Sequence, residues 1–145
     1  MNIALKKITD TAKMPERGSA AAAGYDLFAD ITEDQVIEPH DTKMIGTGIA
    51  VAIPDGYFGG IYARSGLSAK EGLRPANCTG VVDADYRGEI KVALHNDSTE
   101  ARKIVPGQKI AQMVVMPFLD VVFEEQDTLD QTDRGAGGFG STGKM

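Results

Sequence analysis

Cysteine is nearly absent from this chain. Cys78 stands alone among 145 residues, which excludes an intrachain disulfide and a thiolate cluster for zinc. Histidine is almost as scarce: His40 and His95 are far apart, so a histidine metal site within one chain is not expected. No apolar run approaches the roughly 18 residues that a membrane span needs, because charge or glycine interrupts each candidate. The opening Met-Asn-Ile-Ala-Leu-Lys-Lys lacks the basic-then-apolar order of a signal peptide, and a reducing cytoplasm is the expected location. Positive charge is also in deficit. Lys and Arg number 15 against 21 Asp and Glu, giving a net charge of −6, which argues against nucleic acid as a partner. Any phosphate chemistry must then rest on a few placed donors and a metal.

What remains is an ordinary globular composition, 42% hydrophobic and 25% charged, suited to one domain with a real core. The patterning is that of strands. From Ile45 to Ile53 the odd positions are β-branched and the even ones Gly or Ala, so one strand with a bulky and a close-packing face is expected. Glu89 to His95 alternates likewise, with Ile90, Val92 and Leu94 on one side. Lys109 to Met116 reads as a strand buried on both faces, and Val121 to Phe123 as a further short one. Turn chemistry separates them at Glu38–Asp41, Pro54–Gly56, Asn96–Ser98 and Pro106-Gly107. Many short strands without intervening helices point to a sandwich, jelly roll or barrel. Only Ser65 to Glu71, ending at Gly72, reads as a short helix, with serine at its start and glycine after its end.

From about Gln126 the chain turns polar and then glycine-rich, ending Arg134-Gly-Ala-Gly-Gly-Phe139-Gly140-Ser141-Thr142-Gly143-Lys-Met145. Residues Gly138 to Gly143 match G-x-G-x-x-G, and Gly138 to Lys144 match a Walker A loop up to its lysine. Both motifs need a following helix that this sequence does not supply. The stretch is either a floppy end or an arm whose free N–H groups, hydroxyls and Arg134 wrap an anion. Arg64-Ser65-Gly66 is a second anion candidate, or simply a helix cap. In Asn77 to Glu89, a strand over Gly80–Val82 runs into an acidic turn. There Asp83 can serve as a base toward water, or Asp83 and Asp85 can cap a turn, with Asp85 pairing Arg87. Asp26, in an apolar stretch of small residues, needs a partner or an ion.

Taken together and in order, these segments resemble the five motifs of the trimeric dUTPase family. They are Ala22-Ala-Gly-Tyr-Asp26-Leu-Phe-Ala29, Tyr62-Ala-Arg64-Ser65-Gly66-Leu67, Gly80-Val-Val-Asp83-Ala-Asp85-Tyr86-Arg87-Gly88-Glu89, Gly107-Gln-Lys-Ile-Ala-Gln112, and Arg134-Gly-Ala-Gly-Gly-Phe139-Gly140-Ser141-Thr142-Gly143. The resemblance implies an all-β distorted jelly roll with one short helix. It implies a homotrimer with shared active sites, residues 1–125 forming the core and 126–145 an arm that closes over a site. The implied reaction is Mg2+-dependent hydrolysis of dUTP to dUMP and pyrophosphate, which lowers dUTP and supplies dUMP for thymidylate synthesis. In that frame Asp83 activates water for attack on the α-phosphorus, and Asp26 steadies through water an Mg2+ held mainly by the triphosphate. Ser65, Gly66 and Gln112 hold phosphates with Arg64 in support, while Arg134, Gly140, Ser141 and Thr142 arrive with the arm. Asn77, Gly80, Val81, Val82 and Lys91 belong to the uracil-reading hairpin. Tyr86 lies under the deoxyribose and Phe139 stacks on the base. Gln108-Lys109 departs from the acidic residue and Arg more usual in the fourth motif, so any contact those side chains make is altered. Two rivals share the scaffold: a nucleotide-switched regulatory binding protein, and a dCTP deaminase, which needs a further carboxylate that the hairpin does not offer.

Overall fold

The alternation of bulky and small residues makes strands, and the turn residues decide where each one stops. A computed structural model describes residues 1–139. Among them the chain forms β1 (Ala4–Lys7), β2 (Glu16–Arg17), β3 (Tyr25–Phe28), β4 (Gln35–Ile37), β5 (Thr42–Gly46) and β6 (Ile49–Ala52). β7 (Tyr57–Tyr62), β8 (Leu73–Pro75), β9 (Thr79–Val82), β10 (Lys91–Asn96), β11 (Arg102–Ile104) and β12 (Lys109–Pro117) follow, with one short helical turn, Leu67–Glu71, before β8. All ladders are antiparallel. The largest sheet runs β2-β3-β12-β7-β9, and smaller ones run β5-β10-β8, β11-β4 and β1-β6. This is the all-β, distorted jelly-roll arrangement expected. Leu27, Ile37, Ile45, Leu94, Ile104 and Ile110 close one core between the sheets. Each such side chain contributes about 1.5–3 kcal/mol by leaving water. No helix among the described residues is long and apolar enough to cross a membrane.

The alternation in β10 is borne out: Val92 and Leu94, with Ile90 just before the strand, face the core. The expected single strand from Ile45 to Ile53 is instead two. β5 ends at Gly46 and β6 begins at Ile49, because Gly48 takes φ +65° and its backbone lies so close to Asp30 that a Cβ would fall 2.2 Å from Oδ2. The break sends the chain from β10 on one sheet to β1 on another. β12 is buried on both faces only at Ile110, Ala111 and Met113; Gln112 and Val114–Met116 are half-buried. Val121 to Phe123 forms no strand, since nothing among the described residues pairs with it, and Val122 and Phe123 are almost fully exposed. The four turns form where expected. His40 and Gly107 adopt positive φ, and Ser98 N–H donates to Asn96 Oδ1 at 3.0 Å.

Candidate active site

Two open clefts collect most of the predicted site residues, and they share no lining residue. The first, about 390 Å3, is lined by Asn77, Gly80, Val81, Val82, Asp83, Tyr86, Glu89 and Lys91 among others, a size suited to a nucleoside. Among the described residues β9 is the edge strand of the largest sheet and pairs with β7, while β10 pairs with β5 and β8. The expected Asn77–Lys91 hairpin is thus not a paired ladder: its two arms belong to different sheets that meet at the cleft. The outer N–H and C=O groups of β9 therefore face the cleft unpaired, and Val81 is exposed. The turn leading into β9 is tightly held. Arg74 forks onto Asp97 (Nε to Oδ2 2.6 Å, Nη2 to Oδ1 3.1 Å) and donates from Nη1 to the carbonyls of Pro75 and Ala76 at 3.1 and 3.2 Å. Arg74 holds the Asp97 carboxyl below its usual range by that hydrogen bond and its charge. Cys78, at φ 61°, completes the turn, and Thr79 N–H donates to Asn77 O at 2.6 Å. Gly80 packs closely here: a Cβ would sit 3.2 Å from Ile61 Cβ and 3.4 Å from the Asn77 amide nitrogen.

Asp83 follows the last residue of β9. Its carbonyl accepts Tyr86 N–H at 3.2 Å, so it opens the expected turn, while its exposed carboxylate has no hydrogen-bond or ion-pair partner among the described residues. Asp85 and Arg87 do not pair. Arg87 instead donates to the carbonyls of Ala84 and Tyr86. Tyr86 folds back over Gly88 and donates its hydroxyl to Glu89 O at 3.0 Å.

The second cleft, about 220 Å3, is lined by Gly18, Ala22, Gly24, Asp26, Arg64, Ser65, Gly66 and Gln112. Three motifs meet there because β12 pairs with both β3 and β7, which sets Gln112 opposite Asp26 on one side and Tyr62 on the other. Asp26, only 8% exposed, accepts Arg64 Nε and Lys109 Nζ, each at 2.8 Å. Burial pushes its carboxyl up, but the hydrogen bonds and charges of Lys109 and Arg64 together outweigh that and hold it below its ordinary 3.8. Gln112 donates one amide N–H to Ala63 O at 2.9 Å, and Gly24 makes room for it: a Cβ there would lie 2.2 Å from Gln112 Oε1. Ser65 and Gly66 lie exposed at the start of the helical turn. The helical stretch begins at Ser65 as expected, with Gly66 also in helical conformation (φ −64°, ψ −46°), but no side-chain hydrogen bond caps this end. The other end is as expected, with Gly72 at φ 70° and its N–H turned back to Leu67 and Ser68 carbonyls.

Sequence reasoning missed Lys109 as the partner of Asp26. The departure at Gln108-Lys109 was visible, but its consequence needed the β3–β12 register. Gln108 is also engaged, its Oε1 accepting Val105 N–H at 3.0 Å. Glu89 was missed as well; its carboxylate accepts Gly48 N–H at 3.0 Å. Arg134 and Phe139 line neither cleft. Arg134 donates to Gly137 O at 3.1 Å, and Phe139 is fully exposed. Gly140, Ser141 and Thr142 lie outside the described residues.

A family model described as dUTPase matches residues 10–143. The chain is 46% identical over 144 residues to the deoxyuridine 5'-triphosphate nucleotidohydrolase of Nautilia profundicola, covering 99% of this chain and 100% of that one. Among solved structures it is similar to a mutant dUTPase of Staphylococcus bacteriophage 80alpha with dUpNHpp, at TM-score 0.89 and 30% identity over 99% of both chains. It is also similar to a mutant dUTPase from phage phi11 of S. aureus, described as revealing the coordination of a structural Mg(II) ion. There the TM-score is 0.81 and the identity 27%, over 90% of this chain and 100% of that one.

Proposed function

The chain belongs to the dUTPase family and is a dUTP diphosphatase, and we propose that its active site joins the two clefts across subunits of a homotrimer. The observation that supports this reading is the division of labour between the clefts. One chain carries Asp83 and the edge strand β9 in one cleft and the phosphate-side residues Asp26, Arg64, Ser65, Gly66 and Gln112 in the other. A second copy supplies the missing half.

In this reading uracil pairs with the free edge of Gly80 to Val82 and with the Asn77 amide, and Lys91 closes the far side. A thymine methyl finds no room against so tight a turn, and a cytosine edge leaves buried donors or acceptors unpaired. Tyr86 crowds a 2′-hydroxyl. Asp83 takes the proton of a water aligned with the α-phosphorus, and its unpartnered carboxylate has lone pairs for that proton. Ser65 and Gly66 offer N–H and hydroxyl donors to the phosphates, and Gln112 has its second amide N–H free for the same use. Arg64 keeps its terminal nitrogens for phosphate while Asp26 fixes its stem.

Among the described residues no cluster of three acidic, histidine or cysteine side chains offers a cage for a metal. That donor set fits an Mg2+ carried by the triphosphate. Asp26 is the carboxylate lining that cleft, and each of its oxygens accepts one cation and keeps a lone pair for a water of the ion. When bound, Mg2+ supplies charge neutralisation of the triphosphate. The arm, residues 126–145, closes over the joined site. Arg134, Gly140, Ser141 and Thr142 grip the outer phosphates, and Phe139 stacks on the base. Hydrolysis lowers dUTP and supplies dUMP for thymidylate synthesis, with the cytoplasm as the proposed location.

Trimer formation is supported by surfaces that a lone chain leaves open. Met1, Met14 and Tyr25 are exposed around an apolar groove of about 570 Å3 that also takes in Ile3, Leu5, Val51, Met113 and Val115. Val121 to Phe123 has strand chemistry and no partner among the described residues of its own chain. Complementation tests the arrangement. Asp83→Asn chains and Gln112→Ala chains, each inactive alone, are unfolded together and refolded as mixed trimers. Under random mixing, about a quarter of the parent rate returns if the clefts come from different chains. No recovery by a well-formed mixed trimer would place both halves of the site in one chain and sink the proposal.

A further inference from the structure

We propose that Glu89 is a positioning residue that sets discrimination against ribonucleotides, by holding the ring of Tyr86 through a latch to the Gly46–Gly48 loop. The inference rests on the reading of Tyr86 as the residue facing the sugar.

Tyr86 is 45% exposed, so packing alone does not fix its ring. What fixes it is local. The ring folds over Gly88, where a Cβ would lie 2.4 Å from the Tyr86 hydroxyl oxygen, and that hydroxyl donates to Glu89 O at 3.0 Å. The wall against a 2′-hydroxyl is therefore only as firm as the backbone of Glu89. That backbone lies outside any strand, between the Asp83–Tyr86 turn and β10. It is held from a distant part of the chain. The Glu89 carboxylate accepts Gly48 N–H at 3.0 Å, and Oε2 lies 3.4 Å from Lys91 Nζ. Next to it, Ile90 O accepts Thr47 Oγ1 at 2.6 Å and Thr47 N–H at 3.2 Å, and Ile90 N–H donates to Ile49 O at 2.9 Å. Thr47 is 1% exposed. The break between β5 and β6, which ended the expected long strand, thus serves the site. Gly48, at positive φ and seated against Asp30, has no Cβ to crowd the loop that brings its N–H to Glu89.

The consequence is specific to the sugar. A wall rejects one added hydroxyl by clash, and the rejection needs a ring that cannot swing aside. Cutting the latch lets the ring move, and the ribonucleotide gains more than the deoxyribonucleotide loses. Glutamine keeps an oxygen acceptor for Gly48 N–H, so Glu89→Gln preserves the latch while removing the negative charge that faces Lys91. A change at Lys91 acts on both substrates and cancels in their ratio.

The test is the ratio of kcat/KM for dUTP to that for UTP in the parent, E89A, E89Q, Y86F and Y86A, with Tm recorded for each. The expected result is a ratio about tenfold lower in E89A, restored in E89Q, and lowered in Y86F, which keeps the ring and loses only its tether. A lower Tm with an unchanged ratio in E89A and Y86F would reduce Glu89 to a structural role and overturn the proposal. Should E89A fail to fold, Y86F against E89Q decides, because Y86F cuts the same tether at its other end. If Y86A itself leaves the ratio unchanged, Tyr86 is not the sugar wall, and the underlying reading fails rather than the latch alone.

Discussion

Replacing Asp26 with asparagine changes one atom and tests how the phosphate-side cleft is held. The carboxylate is buried and accepts two cations, Arg64 Nε and Lys109 Nζ, each at 2.8 Å. An amide accepts one of them and turns its NH2 toward the other, so one charge-assisted bond is lost and a donor faces a donor. Such a bond contributes about 1.5–3 kcal/mol net. The Arg64 and Lys109 side chains are 34% and 37% exposed and can turn partly to water, which places the loss at the lower end, about 2 kcal/mol. For a domain of this size that lowers Tm by about 4–8 °C at neutral pH and fixed protein concentration. The pH dependence follows from the direction of the shift. The folded carboxyl titrates below its ordinary 3.8, so its stabilisation is fully present above that value and fades as pH falls through the lower folded value. Thermal or urea melts of parent and Asp26→Asn, run from neutral pH down through about pH 4 to 2, are expected to converge in acid. Equal stability at neutral pH, or a gap that persists unchanged to the acid limit, would refute the reasoning.

Asn96 is fully buried and makes four side-chain bonds, donating to Ile37 O and Glu100 O and accepting from Ser98 N–H and Oγ. Asn96→Ala strands these groups and is expected to cost at least about 3 kcal/mol by urea melt, with little change in the dUTP/UTP ratio of any protein that folds. Truncation after Asp130 removes most of the arm and no strand among the described residues, so a trimer of near-parent Tm by calorimetry with dUTP hydrolysis down about 100-fold or more is expected. Lys109→Met removes one of the two cations on Asp26, along with the ammonium over the Phe28 ring, and is expected to raise the Asp26 carboxyl toward its ordinary value, as read by NMR titration.

The sequence carried the strand character clearly because small and β-branched residues alternate along it, and β10 kept that pattern unbroken into the core. It could not place the break at Thr47-Gly48, since a glycine in an alternating run reads as the small face until Asp30, 18 residues earlier, is known to press against it. The motif residues were legible as motifs, but their grouping into two clefts was not. That grouping follows from β12 lying between β3 and β7, a long-range register that local pattern does not encode. Val121 to Phe123 failed as a strand for the opposite reason: its chemistry is right, and the partner it needs is absent from the described residues of its own chain. Lys109 and Glu89 escaped notice because lysine and glutamate in a polar turn or at a strand start look like solvated charge until a fold places a carboxylate or a backbone N–H before them.

Asp83, at the end of the edge strand proposed to read uracil, is the base proposed to activate the water that cleaves dUTP. Pyrophosphate release with Mg2+ from dUTP, dTTP, dCTP and UTP, run in parallel for the parent and for Asp83→Asn with dUTP binding measured for both, separates this role from a structural one. Release is expected almost wholly from dUTP, and in Asp83→Asn it is expected to fall by about 1,000-fold or more while binding persists. Substantial turnover in the variant, or binding lost along with turnover, would rule Asp83 out as the base.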